Sequence, residues 1–406
     1  MPDTSNPRNT SNSPKTSKQE TERLSVLSPV DSSWDEQGDR AQTTREWMLR
    51  GNEWQNKKAE NMESCGKWLL FAIKKEGKHV LKDARFCRTR LCPRCQWRRA
   101  NAWKARWIAA WDAIHASAPK ARYFHLTLTA PTVPATELKQ RLDLMNKAWE
   151  RMTKRKGWPA IGFARSTEVT VRPHGHVHPH FHCLVMVSTS YFKSENYMSA
   201  EVWLEWWADA MRLDVVKDFK NNKPHIRAIK TTEDIPNAVK ELFKYTVKSV
   251  GSKTEEIDDE WIETFLELDR QLKGTRAQAL GGLIKKAFKD QGEITEEEML
   301  GQDEKPDSET LAYWLYMWNA YRRWYARSRV LETEEVEFLE MKDAEKKKRK
   351  GATRAPLPEI IRAGAQMKDD WDLNKIGLEL NAQEQLSKKT RQAKARKARK
   401  ERGETQ

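Results

Sequence analysis

Residues 178–187 read HPHFHCLVMV, with histidines at every second position running into an unbroken apolar stretch. A β-strand is the regular structure in which alternate residues share a face. His178, His180 and His182 therefore point one way, and Phe181, Cys183 and Val185 the other. The second face requires a hydrophobic core behind it, where Cys183 belongs; the first requires a reason to carry imidazoles. The preceding segment, IGFARSTEVTVRPHG, also alternates, so the two stretches read as a hairpin with its turn near Gly175. Centred on that glycine, the hairpin puts Glu168 directly opposite His182, with Ser166 and Thr170 on the same face and Val169 and Val171 turned away. Two imidazoles and a carboxylate across a strand pair form a divalent-metal site. Such ligands with open positions suit Mg²⁺ or Mn²⁺ beside a phosphate, and a His₂Glu set also suits Zn²⁺. His178 is a further candidate ligand, whereas His174 and His176 fall in the turn and are expected in solvent.

The chain around this hairpin divides by composition. Residues 1–46 are rich in Ser, Thr, Asn, Asp and Pro without an apolar period, and are expected to be disordered. Residues 47–118 are rich in Cys, Arg and Trp; Trp103, Trp107, Trp111 and Ile114 fall on one helical face. In ARYFHLTLTAP, Leu126 and Leu128 alternate with His125, Thr127 and Thr129, which predicts a half-buried strand closed by Pro131. A helix follows over 136–156, then the hairpin, then a helix carrying Trp203, Trp206, Trp207 and Met211. PHIRAIK (224–230) reads as a short strand, and a last helix begins at Asp234 and Pro236. Residues 119–255 thus read βαββαβα: an α+β fold with a central antiparallel sheet and flanking helices. Residues 256–340 are expected to be a helical, aromatic C-terminal region. Residues 341–406 are expected to be a largely disordered basic tail, ending in KKTRQAKARKARKER at 388–402.

A formal charge of +15 points to a polyanionic partner, nucleic acid before an anionic membrane, and 18 tryptophans require a substantial core. No apolar run approaches the roughly 18 residues of a membrane span, and no signal peptide opens the chain. An intracellular setting disfavours structural disulfides, so the five cysteines imply a metal site or buried thiols. FCRTRLCPRCQWRR spaces Cys87, Cys92 and Cys95 as half of a tetrahedral zinc site, which Cys65 upstream completes. Arg88, Arg90, Arg94, Arg98 and Arg99 crowd this segment, with Arg85 beside them. Two readings stand for them: a DNA-gripping zinc module, or a structural zinc site under a solvated basic face.

On the helix beginning at 235, Ile235, Val239, Leu242, Phe243 and Val247 form the apolar stripe, while Glu241, Tyr245 and Lys248 share the opposite side. Tyrosine is a poor nucleophile at neutral pH because its pKa is near 10. A metal-polarised phosphate and a nearby lysine lower that barrier, and Glu241 is placed to act as a base.

FHLTLTA, HFHCLV and YTVK, in this order, resemble the three motifs of the HUH endonucleases. Within them, the chain resembles the single-tyrosine replication initiators of rolling-circle plasmids, over roughly residues 60–290. The resemblance implies a metal-dependent nick at the plasmid's double-strand origin, leaving the 5′ phosphate on the tyrosine and a free 3′-OH as primer. It implies His180 and His182 as paired ligands, Glu168 as the third, Tyr245 as nucleophile and Glu241 as the base of a terminating hydrolysis. The implied cofactors are Mg²⁺ or Mn²⁺ at the nicking site and structural Zn²⁺. The implied partners are origin DNA, single-stranded or as a hairpin, with host helicase and polymerase, in the bacterial cytoplasm and away from membranes. Mobilisation relaxases and single-strand transposases share this chemistry. Relaxases usually place the tyrosine ahead of the histidines, and the transposases usually lack the cysteine segment. A non-catalytic, zinc-dependent DNA-binding regulator is the alternative from a different class.

Overall fold

The structure is a computed structural model that describes residues 22–75, 77–193, 195, 197–219, 223–230, 234–243, 257–292, 310–332 and 334–336. In chain order, α1 (Leu24–Leu27), α2 (Ser33–Met48) and α3 (Glu53–Glu63) precede a hairpin of β1 (Trp68–Lys74) and β2 (His79–Ala84). The long helix α4 (Pro93–Ser117) leads into β3 (Arg122–Thr129), the two-residue β4 (Val133–Pro134) and α5 (Leu138–Thr153). Then come β5 (Ala160–Arg172), β6 (His176–Val187), α6 (Ala200–Met211), α7 (Val215–Asp218), β7 (His225–Ile229) and α8 (Ile235–Leu242). The last elements are α9 (Asp259–Gln271), β8 (Gln278–Gly281), α10 (Gly282–Asp290), β9 (Thr310–Asn319) and β10 (Trp324–Leu331). No helix among the described residues is long and apolar enough to cross a membrane.

These elements form two compact units. One takes the described residues among 1–39, 66–85 and 302–406, the other those among 40–65 and 86–301. The first unit holds an antiparallel sheet of order β10-β9-β1-β2. Here the sequence expectation of a helical region over 256–340 fails in its second half. LAYWLYMWN forms a strand because its aromatic and branched residues suit a pleated surface buried on both faces. Tyr313 and Leu315 join Trp68, Leu70 and Leu331 in one core, while Tyr316, on the alternate face, lies 5.8 Å from Phe71. The expected disorder over 1–46 also fails for residues 24–27 and 33–46, which are helical. Trp34 anchors this segment, with its ring 6.2 Å from Phe71 and 6.4 Å from Tyr325. Asp35 accepts the Tyr325 backbone N–H at 2.6 Å and the Arg23 Nε–H at 3.0 Å. One tryptophan and one carboxylate order a stretch whose average composition is polar. The proposed 47–118 module is likewise divided, because β1 pairs with β9, more than 200 residues further along the chain.

The second unit contains the expected βαββαβα order, as β3, α5, β5, β6, α6, β7 and α8. Its sheet runs β7-β3-β6-β5-β8, all antiparallel, with β4 attached to β6. Alternation along the strands sorts side chains onto two faces. Leu126, Leu128, Phe181, Cys183 and Val185 pack with Leu142, Met145 and Trp149 of α5 and Trp203 and Trp207 of α6. On the other face, Tyr123, Ala164, Leu184 and Met186 meet Trp107 and Ile114 of α4, Val239 and Leu242 of α8, and Ile284 and Phe288 of α10. The histidines of β6 continue this second face beyond its apolar part. Burying each such large side chain contributes roughly 1.5–3 kcal/mol, so the sheet cannot slip by one residue without losing both cores.

The turn between β5 and β6 contains Pro173, His174 and Gly175, with φ of +59° at His174 and +63° at Gly175. It is therefore centred on His174, one residue before the expected centre, and every cross-strand partner moves by two. Glu168 faces His180 rather than His182; Ser166 faces His182 and Thr170 faces His178.

Two other glycines differ instructively. Gly282 has φ +57°, and a Cβ there would overlap the carbonyl oxygen of Ile161. Gly274 has φ +76° with open space around it. Gly274→Ala should cost about 1–2 kcal/mol, the left-handed penalty alone, and Gly282→Ala clearly more. Thermal melts of the two variants check this, and equal losses would contradict it.

Candidate active site

β5 and β6 bring a carboxylate and two imidazoles together on the open part of the sheet face. Glu168 Oε2 lies 3.1 Å from His182 Nε2, and Oε1 lies 3.5 Å from His180 Nε2. The three ligand atoms are all within 4.8 Å of one another, and each side chain is only 11–12% exposed. The far ring nitrogens are also engaged. His180 Nδ1 lies 3.3 Å from the His178 carbonyl oxygen, to which it donates, and His182 Nδ1 lies 3.4 Å from Thr127 Oγ1. With Nδ1 engaged, Nε2 is the nitrogen that each ring turns toward Glu168 and the one that would meet a metal ion there.

Burial pushes the Glu168 carboxyl up, but hydrogen bonds to His180 and His182 and their charge outweigh it and hold the group well below the usual carboxylate range. An anionic carboxylate facing two imidazole nitrogens requires a proton or a cation between them. The donor set therefore fits a divalent cation with open coordination positions. His178 is not part of this group. Its ring centroid is 5.9 Å from that of His180, but its Nδ1 lies 3.2 Å from Thr132 Oγ1.

A third imidazole, unremarked as a site residue in the sequence, stands beside the group. β3 is the other neighbour of β6, so Thr127 pairs with His182 and His125 with Leu184. His125 is 4% exposed, its ring centroid is 5.4 Å from that of His182, and its Nε2 has no hydrogen-bond partner among the described residues. Burial first, then the charges of His182 and Arg227, press its pKa down to about 4, with Glu241 acting in the opposite direction. The alternation in FHLTLTA already placed His125 on this face. The strand pairing that carries the face to the β6 histidines could not be read from one segment.

Glu241 lies in the last turn of α8, which packs against β5 and β6 through Ile235, Ala238, Val239 and Leu242. α8 covers the sheet face that carries the histidines, and the Glu241 charge acts on His125. Tyr245 and Lys248 follow four and seven residues later and lie outside the described residues, as does the basic tail.

The four cysteines converge at the start of α4. Cys92 precedes the helix, Pro93 opens it, and Cys95 sits in its first turn. The Cys65 sulfur is 3.6 Å from Cys92 and 3.7 Å from Cys95, and Cys87 is 3.7 Å from Cys95. A tetrahedron with Zn–S bonds of about 2.3 Å has edges of about 3.8 Å, so these spacings fit a tetrathiolate metal site. Cys183 is fully buried in the core. The arginines around the cysteines are largely turned inward. Arg94 is 4% exposed and donates to the Cys65 carbonyl at 2.8 Å; Arg98 is 6% exposed; Arg90 donates to the carbonyls of Leu272 and Thr275. Arg88 is exposed, and Arg99, partly exposed, donates to its carbonyl at 2.9 Å. Of these five arginines, Arg88 is exposed, Arg90 and Arg99 are partly exposed, and Arg94 and Arg98 are buried.

If Glu168, His180 and His182 form one cation site, Glu168→Gln should weaken Mn²⁺ binding at least tenfold. Titration followed by electron paramagnetic resonance measures this; unchanged affinity would separate the carboxylate from the site. Stability should also depend on pH. His79, His125 and His178 are held near 4 mainly by burial, against about 6.5 in an unfolded chain. The unfolded state therefore binds more protons between these values, and stability present above pH 6.5 is lost as pH falls toward 4. Urea midpoints at pH 7 and pH 5 test this, the lower being expected at pH 5.

A family model described as Replication protein matches residues 78–326, a span that includes Cys87, Cys92, Cys95, Glu168, His180, His182 and Tyr245. A curated protein of Lentilactobacillus hilgardii named Protein rep is 33% identical over 242 residues, covering 57% of this chain and 75% of its own length. A Protein rep of Lactiplantibacillus plantarum is 35% identical over 247 residues, with coverage of 58% and 75%. Another, from Bacillus amyloliquefaciens, is 30% identical over 294 residues, with coverage of 65% and 84%. No solved structure matches the chain.

Proposed function

Because this chain belongs to the replication-protein family of rolling-circle plasmids, we propose that it initiates replication by nicking origin DNA through Tyr245. The observation that carries the proposal is the convergence of Glu168, His180 and His182 on one sheet face, with Glu241 on α8, four residues before Tyr245 in the sequence.

A divalent cation held by Glu168, His180 and His182, Mg²⁺ or Mn²⁺ in this reading, would supply Lewis-acid polarisation of the scissile phosphate. The two imidazoles are held in orientation through their Nδ1 atoms by Thr127 and the His178 carbonyl. The Tyr245 oxygen attacks phosphorus, forming an O–P bond as the P–O3′ bond breaks. The phenolic proton leaves to a base or solvent, and the departing 3′ oxygen is left as a hydroxyl after proton uptake. Lys248, three residues further along the chain, would favour the phenolate. One phosphodiester is exchanged for another, so the bond energy is kept for rejoining. The free 3′-OH would serve a host polymerase as primer, with a host helicase opening the duplex. Glu241 would accept a proton from the water, or from the second strand's hydroxyl, that ends the cycle. Tyr123 is a poor alternative nucleophile, since burial pushes its phenol up to about 12. The cysteine group would hold structural Zn²⁺.

Incubating the protein with its supercoiled plasmid should give nicked circles with a protein-linked 5′ end in Mn²⁺ and none with a chelator. Glu241→Ala should still nick but accumulate the covalent complex. Tight DNA binding without any nick would favour the regulator reading, and equal loss of both steps in Glu241→Ala would remove the role given to Glu241.

A further inference from the structure

The nuclease face extends past the histidines to the edge of the sheet. β7 is the edge strand, and its register with β3 places His225 opposite Thr127 and Arg227 opposite His125. Cross-strand partners share a face, so His225 and Arg227 lie on the same side as His125, Thr127 and the β6 histidines. Ile229, next on that face, is buried in the core beside α8, whereas His225 and Arg227 are exposed. A row of polar side chains therefore crosses four strands: Ser166 and Glu168 on β5, His182 and His180 on β6, Thr127 on β3, and His225 with Arg227 on β7.

From β6 to β7 is two strand spacings, roughly 10 Å. A single DNA strand lying across the sheet with one phosphate at the Glu168–His180–His182 group brings a neighbouring phosphate over β7. A guanidinium is always charged and presents a planar fork that matches phosphate oxygens in a bidentate way. An imidazole beside it adds a second donor. Resting on the nicking function proposed above, we infer that Arg227, with His225, forms a subsite for a backbone phosphate of single-stranded DNA adjoining the scissile one. Its role is positioning: it sets the register of the strand on the face and touches no reacting atom.

The test is fluorescence anisotropy with the full chain and a dye-labelled single-stranded oligonucleotide of mixed sequence, in a chelator so that no cleavage intervenes. Arg227→Gln should weaken binding roughly five- to tenfold, the worth of one charge-assisted hydrogen bond. It should also reduce the slope of log affinity against log salt by about 0.7, one phosphate contact. Arg227→Lys should keep the slope. Arg122→Gln, at an exposed arginine on the opposite face of β3, should match wild type. An unchanged slope in Arg227→Gln, or an equal loss in Arg122→Gln, would overturn the subsite. On a nicked origin strand, one methylphosphonate linkage beside the scissile position should weaken wild type and leave Arg227→Gln no weaker than before. Losses that add in full at every linkage would also overturn it. The salt slope is read without nicking, so a protein that binds through Arg227 but never nicks would sink the nuclease reading and spare the subsite.

Discussion

The pairing of β5 with β6 is the constraint on which the rest of the second unit depends. Its register is set by a three-residue turn with two left-handed residues, His174 and Gly175. It is also locked by two cores, because a slip by one residue would exchange the two faces of β6 and put Phe181, Cys183 and Val185 where the histidines, Leu184 and Met186 now lie. The same register puts Glu168 between His180 and His182. The polar site is thus held by apolar packing on the reverse of the strand that carries it. A carboxylate and two imidazoles could not be kept this close and this dry on a loop.

Strain and desolvation concentrate around that hairpin. The buried Glu168 stays ionised because two imidazoles face it, and His125 stays neutral first because it is buried and then because of the charge around it, that of Arg227 included. Both shifts are downward, which keeps the acid charged and the imidazole neutral on one sheet face. The cysteine group works differently. It ties the segment around Cys65 to the N-terminus of α4 through four sulfurs at tetrahedral spacing, and Arg94 reinforces it by binding the Cys65 carbonyl. Arginines that look like a DNA grip in one dimension are partly the internal braces of this knot.

Much of the second unit is legible in the sequence because its signals are local. Alternation identified β3, β5 and β6, the tryptophan spacing identified α4, and face parity grouped His180 and His182 with Glu168. What escaped depends on distant partners. The β9 strand looks helical until β1 is known to pair with it, since an aromatic run buried on both faces has no period. Residues 33–46 look disordered until Trp34 and Asp35 find Phe71 and Tyr325. His125 was placed on the correct face, but its neighbour on β6 was fixed only by sheet order. The choice of His180 over His182 as the direct partner of Glu168 turned on a single residue in the turn.

The central claim is that this sheet face cuts DNA with Tyr245 as nucleophile. Its most direct test is to trap the covalent complex on a labelled origin oligonucleotide, digest it, and identify the DNA-linked peptide by mass spectrometry. The account predicts that the nucleotide is carried by the peptide containing Tyr245, and that Tyr245→Phe yields no adduct while still binding the origin. A nucleotide on a peptide containing Tyr123, Tyr197 or a C-terminal tyrosine, or an adduct that persists in Tyr245→Phe, would contradict it.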